Sequence, residues 1–330
     1  KVLWDKHNEW GSNFTVVSGG EPLMYESDGK DIFDIFREQS GNYFLMYTNG
    51  TLINDEVARK LAEVGNVTPA ISIEGWEKET DERRGRGIFK QVLGAMENLR
   101  NHGVPFGISV TATSENAETI MDDEFMDFFF DEQGAIYGWI FQYMPIGRSY
   151  TVDLMVTPEQ REWMLDKELD LIQSQNRFLI DFWNGGPLSL GCISAGKPGG
   201  YFYVDWDGNI APCVFFPYGI DNVYDIYERG DTISAPLFSN YFESIRQWQD
   251  DYVGRFSEKQ TENLFMPCPI KDHHRFAEEV IENHDVWPMD DDAARARDDE
   301  MYHQRMRTHD EELHRRLDPL WEEKMLKKSG

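Results

Sequence analysis

The chain has 330 residues, 40% of them apolar and 14% aromatic, which is enough to build a real core in one large α/β domain or two domains. Its net charge of −28, from 60 acidic against 32 basic side chains, argues against a nucleic-acid partner, because that binding relies on Lys and Arg neutralising phosphates. No apolar run is long enough to span a bilayer and no signal peptide is read, so the expected location is cytoplasmic.

The first half alternates strand and helix. Phe14–Ser18 reads as a strand that runs into Gly19-Gly20-Glu21-Pro22, where two glycines let a ligand approach the backbone beside a carboxylate. Asp31–Glu38 reads as a helix and Tyr43–Tyr47 as a strand ending at Thr48-Asn49-Gly50. Asn54 caps a helix through Leu61. Ala70–Ile73 is a strand ending at Glu74-Gly75, and Gly87–His102 is an amphipathic helix stopped by Gly103. Val104–Ala112 is the fourth strand, Phe125–Phe130 is an aromatic helical run, and Tyr137–Met144 is the fifth strand, ending at Pro145-Ile146-Gly147. The period is roughly 30 residues, as in the βα units of a parallel sheet or barrel. In a parallel barrel all such strand ends gather on the ligand-binding face.

Thr157–Gln175 follows as a connector helix with Pro158 at its first position. Tyr201–Phe216 then alternates aromatic and β-branched residues around Asp207-Gly208-Asn209 and reads as a β-hairpin. Phe276–Glu282 is a short helix, and Asp290–Lys328 is a charged helical segment whose Leu313, Leu317, Leu320, Trp321 and Met325 form a stripe packed on the body. The expected division is 1–150 for the barrel, 151–185 for a connector helix and strand, 186–285 for a small α+β extension with the hairpin, and 286–330 for the terminal helical segment. The acidity is spread over both halves. It fits a solvated surface, and equally a salt-rich cytoplasm of the haloarchaeal type, where self-repulsion is screened.

The order of motifs resembles a family. Ser18-Gly19-Gly20-Glu21-Pro22-Leu23, Thr48-Asn49-Gly50, Ile71-Ser72-Ile73-Glu74-Gly75, Asp81 with Arg84-Gly85, and Gln142–Arg148 occur in sequence at βα spacing. Together they are similar to the core of radical S-adenosylmethionine (SAM) enzymes from its second strand to its sixth. The resemblance implies an α/β fold, a partial (β/α)6 TIM-like barrel missing its first strand. It also implies SAM and a [4Fe–4S] cluster as cofactors, with homolysis of SAM to a 5′-deoxyadenosyl radical that takes a hydrogen atom from an organic substrate. That substrate would be a small molecule or a peptide, and the electron would come from a donor such as ferredoxin or flavodoxin. Gly19, Gly20 and Glu21 would hold the SAM ammonium. Ser72 would reach its carboxylate or ribose, Arg84 its carboxylate, and Thr111, Thr113 or Asn116 the ribose. The competing reading of Arg84 is an ion pair with Asp81 or Glu82.

The chain departs from the family in its cysteines. The cluster-binding Cys-x3-Cys-x2-Cys belongs upstream of Gly19, and none of Cys192, Cys213 and Cys268 has that spacing. The expectation is a fragment that lacks the first strand and is inactive alone. The alternative is a cluster-free, non-catalytic metal-binding or scaffold relative, and a third reading is a TIM-barrel lyase with Glu21 as base. The three cysteines are an odd count without a secretion signal, which argues against a disulfide framework. Gly191-Cys192, the hairpin segment Asp207–Cys213 and Met266-Pro267-Cys268-Pro269 resemble the SPASM or twitch extensions that carry auxiliary iron–sulfur clusters. At most one such cluster is implied, on Cys192, Cys213 and Cys268, with Asp272, His273, His274 or an exogenous group as fourth ligand. From spacing alone, zinc on three Cys and one His fits as well.

Overall fold

A computed structural model describes residues 9–11, 13–148, 150–255 and 261–326. The chain divides into two compact units, one made of residues 1–141 and 166–181, the other of residues 142–165 and 182–330.

The first unit is built on a six-stranded sheet in sequence order: β1 (Phe14–Val17), β2 (Tyr43–Thr48), β3 (Val67–Ile73), β4 (Gly107–Ala112), β5 (Gly138–Gln142) and β6 (Leu179–Asp181). The strands are parallel and the sheet curls into a half-barrel. Its helices include α1 (Ile32–Glu38), α2 (Asp55–Val64), α3 (Glu77–Arg84) and α4 (Ile88–Asn101). They start where the sequence offers caps. Asp31 and Asp34 form a reciprocal capping box on α1, and Asn54 Oδ1 accepts from Val57 N at 2.9 Å on α2. On α4, Val92, Ala95, Met96 and Leu99 are buried, as its amphipathic spacing requires.

Two strands differ from the sequence reading. β4 begins at Gly107 rather than Val104, since Pro105 has no N–H to give a ladder. Gly107 is required there by packing, because a Cβ would sit 2.2 Å from the Tyr137 ring. β6 lies beyond the five strands read in the first half, within the connector. The aromatic run near residue 125 forms a helix only over Asp123–Asp127 and widens into a π-turn at Phe128–Glu132.

In a parallel sheet, residues in register share a face. Val16 stands opposite Leu45, Tyr47 opposite Ala70, and Ser72 opposite Ser109. Phe44, on the other face of β2, meets Phe36 of α1 at 4.8 Å between ring centroids, so that face is the helix-covered one. The hollow side of the half-barrel is therefore lined by Leu45, Ala70 and Tyr137, with Tyr47 and Trp139 against them. Trp139 stacks on Phe141 and Tyr47 meets Phe141 edge-on, so the aromatic residues noted in β5 belong to this face. The Tyr137 hydroxyl donates to Pro69 O at 2.9 Å and pairs with Thr68 Oγ1 at 3.0 Å, which satisfies it in a buried place.

The second unit opens with the first half of α5 (Pro158–Gln173) and also holds α6 (Asn240–Tyr252), α7 (His274–Asn283) and α8 (Glu300–Trp321). The hairpin pairs Tyr203–Val204 antiparallel to Asn209–Ala211 and turns through Gly208, at φ +85°. Leu313, Leu317 and Trp321 of α8 bury against Leu165, Leu264, Phe265 and Met266, with Leu320 partly buried beside them. The terminal stripe thus packs on the body as expected, except that Met325 stays exposed; residues 327–330, the end of that reading, lie outside the described ones. No described helix is long and apolar enough to cross a membrane.

Candidate functional site

The carboxyl ends of β1 and β2 bring the paired glycines together with Thr48-Asn49-Gly50. Gly19 has φ +146°, a backbone conformation that disfavours a side chain, and a Cβ on either Gly19 or Gly20 would meet nothing within 4 Å. The backbone there faces open space. Glu21 follows as the cap of the one-turn helix Pro22–Met24. Its Oε1 accepts from Thr48 Oγ1 at 2.7 Å and Leu23 N at 3.2 Å, and its Oε2 accepts from Asn49 N at 2.8 Å. Thr48 Oγ1 also accepts from Gly50 N at 3.1 Å, and Asn49 Oδ1 accepts from Thr51 N at 2.9 Å. The Thr-Asn-Gly turn is therefore the device that holds the Glu21 carboxylate. A carboxylate has about four lone-pair sites. Three protein donors leave room for a ligand N–H.

Ser72 lies on the hollow face near the carboxyl end of β3, half-buried. Two residues on, Glu74 is almost fully buried. Arg84 Nη2 donates to its Oε1 at 2.5 Å, and Arg83 Nη1 lies 3.2 Å from its Oε2. Burial pushes the Glu74 carboxyl upward, against the pull of the Arg84 and Arg83 charges. Arg84 thus pairs with Glu74 rather than with Asp81 or Glu82, and its Nε is buried without a hydrogen-bond partner. Asp81 instead ties down the start of α4: its carboxylate accepts from Gly87 N and Phe89 N, and those bonds hold its carboxyl below the usual range. Asn116 is buried and donates to Glu74 O at 2.8 Å and Thr111 O at 3.0 Å. Its Oδ1 accepts from Thr113 N at 2.7 Å and Thr113 Oγ1 at 2.9 Å. All its polar atoms fasten the ends of β3 and β4. Sequence reading noted Glu74 only as a strand-end residue and gave it no role; a lone acid next to a glycine after an apolar strand was the available signal.

In the second unit, Cys192, Cys213 and Cys268 come from three separated segments and are all free thiols. Each has a nearby donor. Cys192 Sγ lies 3.2 Å from Ser194 Oγ, and Cys213 Sγ lies 3.0 Å from the Tyr201 hydroxyl and 3.4 Å from Phe215 N. Cys268 Sγ accepts from Lys271 N at 3.4 Å. Burial and then the neighbouring Cys192 push the Cys213 thiol up to about 12. Burial, Asp272 and the other two thiols raise Cys268 too. Burial, which disfavours the thiolate, is the larger part of both shifts, and the mutual effect of the thiols shows that the three lie near one another.

The proposed fourth ligands are occupied elsewhere. Asp272 is fully buried in a two-pronged pair with Arg161, which also donates to Phe265 O at 2.8 Å. Burial pushes the Asp272 carboxyl up, but the Arg161 guanidinium outweighs it and leaves the group below the usual range. His273 Nε2 lies 2.9 Å from Met266 O, and His274 turns to His303. Tyr201 and Arg161 were not singled out from sequence. Tyr201 sits 12 residues from its thiol and Arg161 is 111 residues from its carboxylate, so neither pairing has a local signal.

Comparison with known proteins bears on this geometry. The sequence family described as "Radical SAM superfamily" matches residues 1–126. The "AdoMet-dependent heme synthase" of Methanosarcina barkeri is 34% identical over 159 residues, 47% of this chain and 43% of that protein. The "AdoMet-dependent heme synthase" of Oleidesulfovibrio alaskensis is 27% identical over 299 residues, 81% of this chain and 73% of that protein. The chain thus spans less than half of the first relative and about three quarters of the second. Among solved structures, "Streptococcus suis SuiB bound to precursor peptide SuiA" shares the fold, with TM-score 0.58 at 17% identity, covering 74% of this chain and 58% of that one.

Proposed function

We infer that this chain, which belongs to the radical SAM superfamily, forms the SAM-binding barrel of an enzyme that cleaves SAM reductively and abstracts hydrogen from an organic substrate. SAM and a [4Fe–4S] cluster are the cofactors of the family, and when bound they supply the 5′-deoxyadenosyl radical. The observation that carries the reading is the Glu21 carboxylate, fixed by Thr48 and Asn49 beside two glycines whose surroundings are open. Glu21 would accept the SAM ammonium, and the bare backbone of Gly19 and Gly20 would let the amino acid part approach. Ser72 would donate from the hollow face. Arg84 would act through Glu74, and Asn116 by holding the strand ends in place. The non-catalytic scaffold reading is not favoured, since the relatives are radical SAM enzymes.

The Cys-x3-Cys-x2-Cys of the catalytic cluster has no counterpart among the cysteines of this chain. The thiols of Cys192, Cys213 and Cys268 do suit an auxiliary iron–sulfur centre in a twitch- or SPASM-like extension over 186–285. The N–H and O–H donors around the sulfurs support this, since such donors tune cluster sulfurs. With Asp272 held by Arg161, an exogenous fourth ligand fits best. A small molecule or a peptide as substrate, a ferredoxin or flavodoxin as electron donor, and a cytoplasmic setting complete the proposal.

The test is anaerobic equilibrium dialysis of the chain against radiolabelled S-adenosylhomocysteine. One saturable site is expected, weakened roughly tenfold or more by Glu21→Gln, which loses one charge-assisted bond. Unaltered binding in that variant, or no binding to a folded chain, overturns the assignment.

A further inference from the structure

We propose that His274, Glu278 and His303 form a second metal site, separate from the thiols and selective for a zinc-like divalent transition ion. His274 and Glu278 are i, i+4 on α7 and so share one helix face, and His303 comes from the first turn of α8. His274 Nε2 lies 2.8 Å from His303 Nδ1, and His303 Nδ1 lies 3.5 Å from Glu278 Oε1. All three ligand atoms fall within 4.8 Å of one another, and no other group of three His, Cys, Asp or Glu does so among the described residues.

The hydrogen bonds on the far side of each ring carry the argument. His303 Nε2 is 2.9 Å from Arg297 O, and His274 Nδ1 is 3.4 Å from Ile270 O. A carbonyl only accepts, so a ring nitrogen bonded to it carries the hydrogen. A neutral imidazole has one N–H. His303 therefore presents a bare Nδ1 lone pair, and His274 presents a bare Nε2 whenever it donates to Ile270. In that tautomer the two lone pairs face each other and call for a cation between them; in the other, His274 Nε2–H donates to His303 Nδ1, and an entering ion displaces that proton. Metal-bound histidines characteristically donate their distal N–H to a backbone carbonyl, which fixes the tautomer and aims the ring, and both rings have this partner here. Arg307 Nη1 donates to Glu278 Oε1 at 2.6 Å and steadies the carboxylate, whose Oε1 faces His303 and whose remaining lone pairs stay available for coordination.

Two imidazoles and one carboxylate are the donor set of open tetrahedral zinc sites. The nitrogens would separate only to about 3.3 Å around an ion with Zn–N of ~2.0–2.1 Å. Both histidines are buried, and the three side chains line a cavity whose other walls include Met144, Tyr218, Ile270, Tyr302 and Met306. A fourth coordination position would open onto that mostly apolar space, so a water or a small anionic or carbonyl ligand would complete the shell. This inference is independent of the reading of the SAM site.

Cobalt(II) titration tests it, with the three cysteines replaced by alanine so that thiolates cannot compete. One equivalent is expected to bind with four-coordinate d–d absorption and no thiolate charge-transfer band. His303→Ala and Glu278→Gln should each weaken binding roughly tenfold or more. Circular dichroism checks the fold of each variant, and Glu278→Gln keeps the shape of its side chain should the alanine variant unfold. Wild-type chain with carboxamidomethylated cysteines provides a second background if the triple variant is unstable. Failure of the folded chain to bind cobalt or zinc, or equal affinity in the folded Glu278→Gln and His303→Ala variants, overturns the proposal.

Discussion

Asp272→Asn should be among the most damaging single changes in the second unit. Both Asp272 and Arg161 are wholly buried, and the guanidinium meets the carboxylate through both Nη atoms. The amide keeps the shape but removes the charge, so a guanidinium in the interior loses its two-pronged carboxylate while keeping Phe265 O and Asn184 Oδ1 as acceptors. Breaking a buried pair from one side costs about 3–5 kcal/mol. For a unit of this size each kcal/mol shifts the melting temperature by roughly 2–4 °C, giving a fall of about 6–20 °C. The pair also ties down the Cys268 loop, proposed above to carry a cluster ligand: Asp272 N donates to Cys268 O at 3.0 Å, and the carboxylate accepts from Cys268 N at 3.3 Å. Asp272→Asn should therefore lose bound iron as well as stability. Replacing both partners, as Arg161→Met with Asp272→Leu, should recover much of the stability, since the guanidinium leaves together with its carboxylate, but not the iron. Urea titrations followed by circular dichroism, with iron counted after anaerobic reconstitution, give both readouts. An Asp272→Asn midpoint equivalent to less than about 1 kcal/mol would refute the reasoning, because a buried charge cannot be orphaned so cheaply.

His309 should make the fold acid-sensitive. Burial, and then the Lys271 charge, lower its pKa from 6.5 to about 4, and its Nε2 lies 3.1 Å from Val156 O. The folded pKa lies below the unfolded one, so the contribution is full above about pH 6.5 and is lost as pH falls through about 4. It amounts to about 3 kcal/mol, and His309→Gln should flatten the stability–pH slope across that window. Gly19→Ala and Gly20→Ala should part company in thermal melts. The first forces a side chain onto φ +146° and should cost about 1–3 kcal/mol, whereas the second leaves the melt nearly unchanged and weakens S-adenosylhomocysteine binding. Tyr201→Phe removes the hydroxyl 3.0 Å from Cys213 Sγ and should lower the midpoint potential of an auxiliary cluster in spectroelectrochemical titration, since a lost donor makes added electron density harder to bear.

Much of the first unit is legible in the sequence because its signals are local. Asn54 before α2, Asp31 before α1 and Gly103 after α4 each act within one helical turn, and each was readable from two or three residues. Glu21 was readable because its glycines precede it directly, and its anchors Thr48 and Asn49 stood out as an odd strand end. What escaped was long-range pairing. Arg84 carried two competing roles in sequence, and only the fold shows that its partner is Glu74, ten residues back and buried at the end of β3. The approach of His274 to His303 joins two helices and leaves no periodic trace. The strand read within 151–185 is β6, but with three residues, Leu179–Asp181, it is too short for alternation to show that it belongs to the barrel sheet.

The bracing of Glu21 has a thermodynamic consequence. A free glutamate loses up to about 1.5–2 kcal/mol of rotamer entropy when a ligand immobilises it. Here the Thr48 hydroxyl and the Asn49 amide have already frozen those rotations during folding. An incoming cation meets an acceptor that is aimed in advance, and up to about tenfold in affinity is available that a floppy side chain would forfeit. Thr48, which need touch no ligand at all, would then set part of how tightly the pocket closes on one.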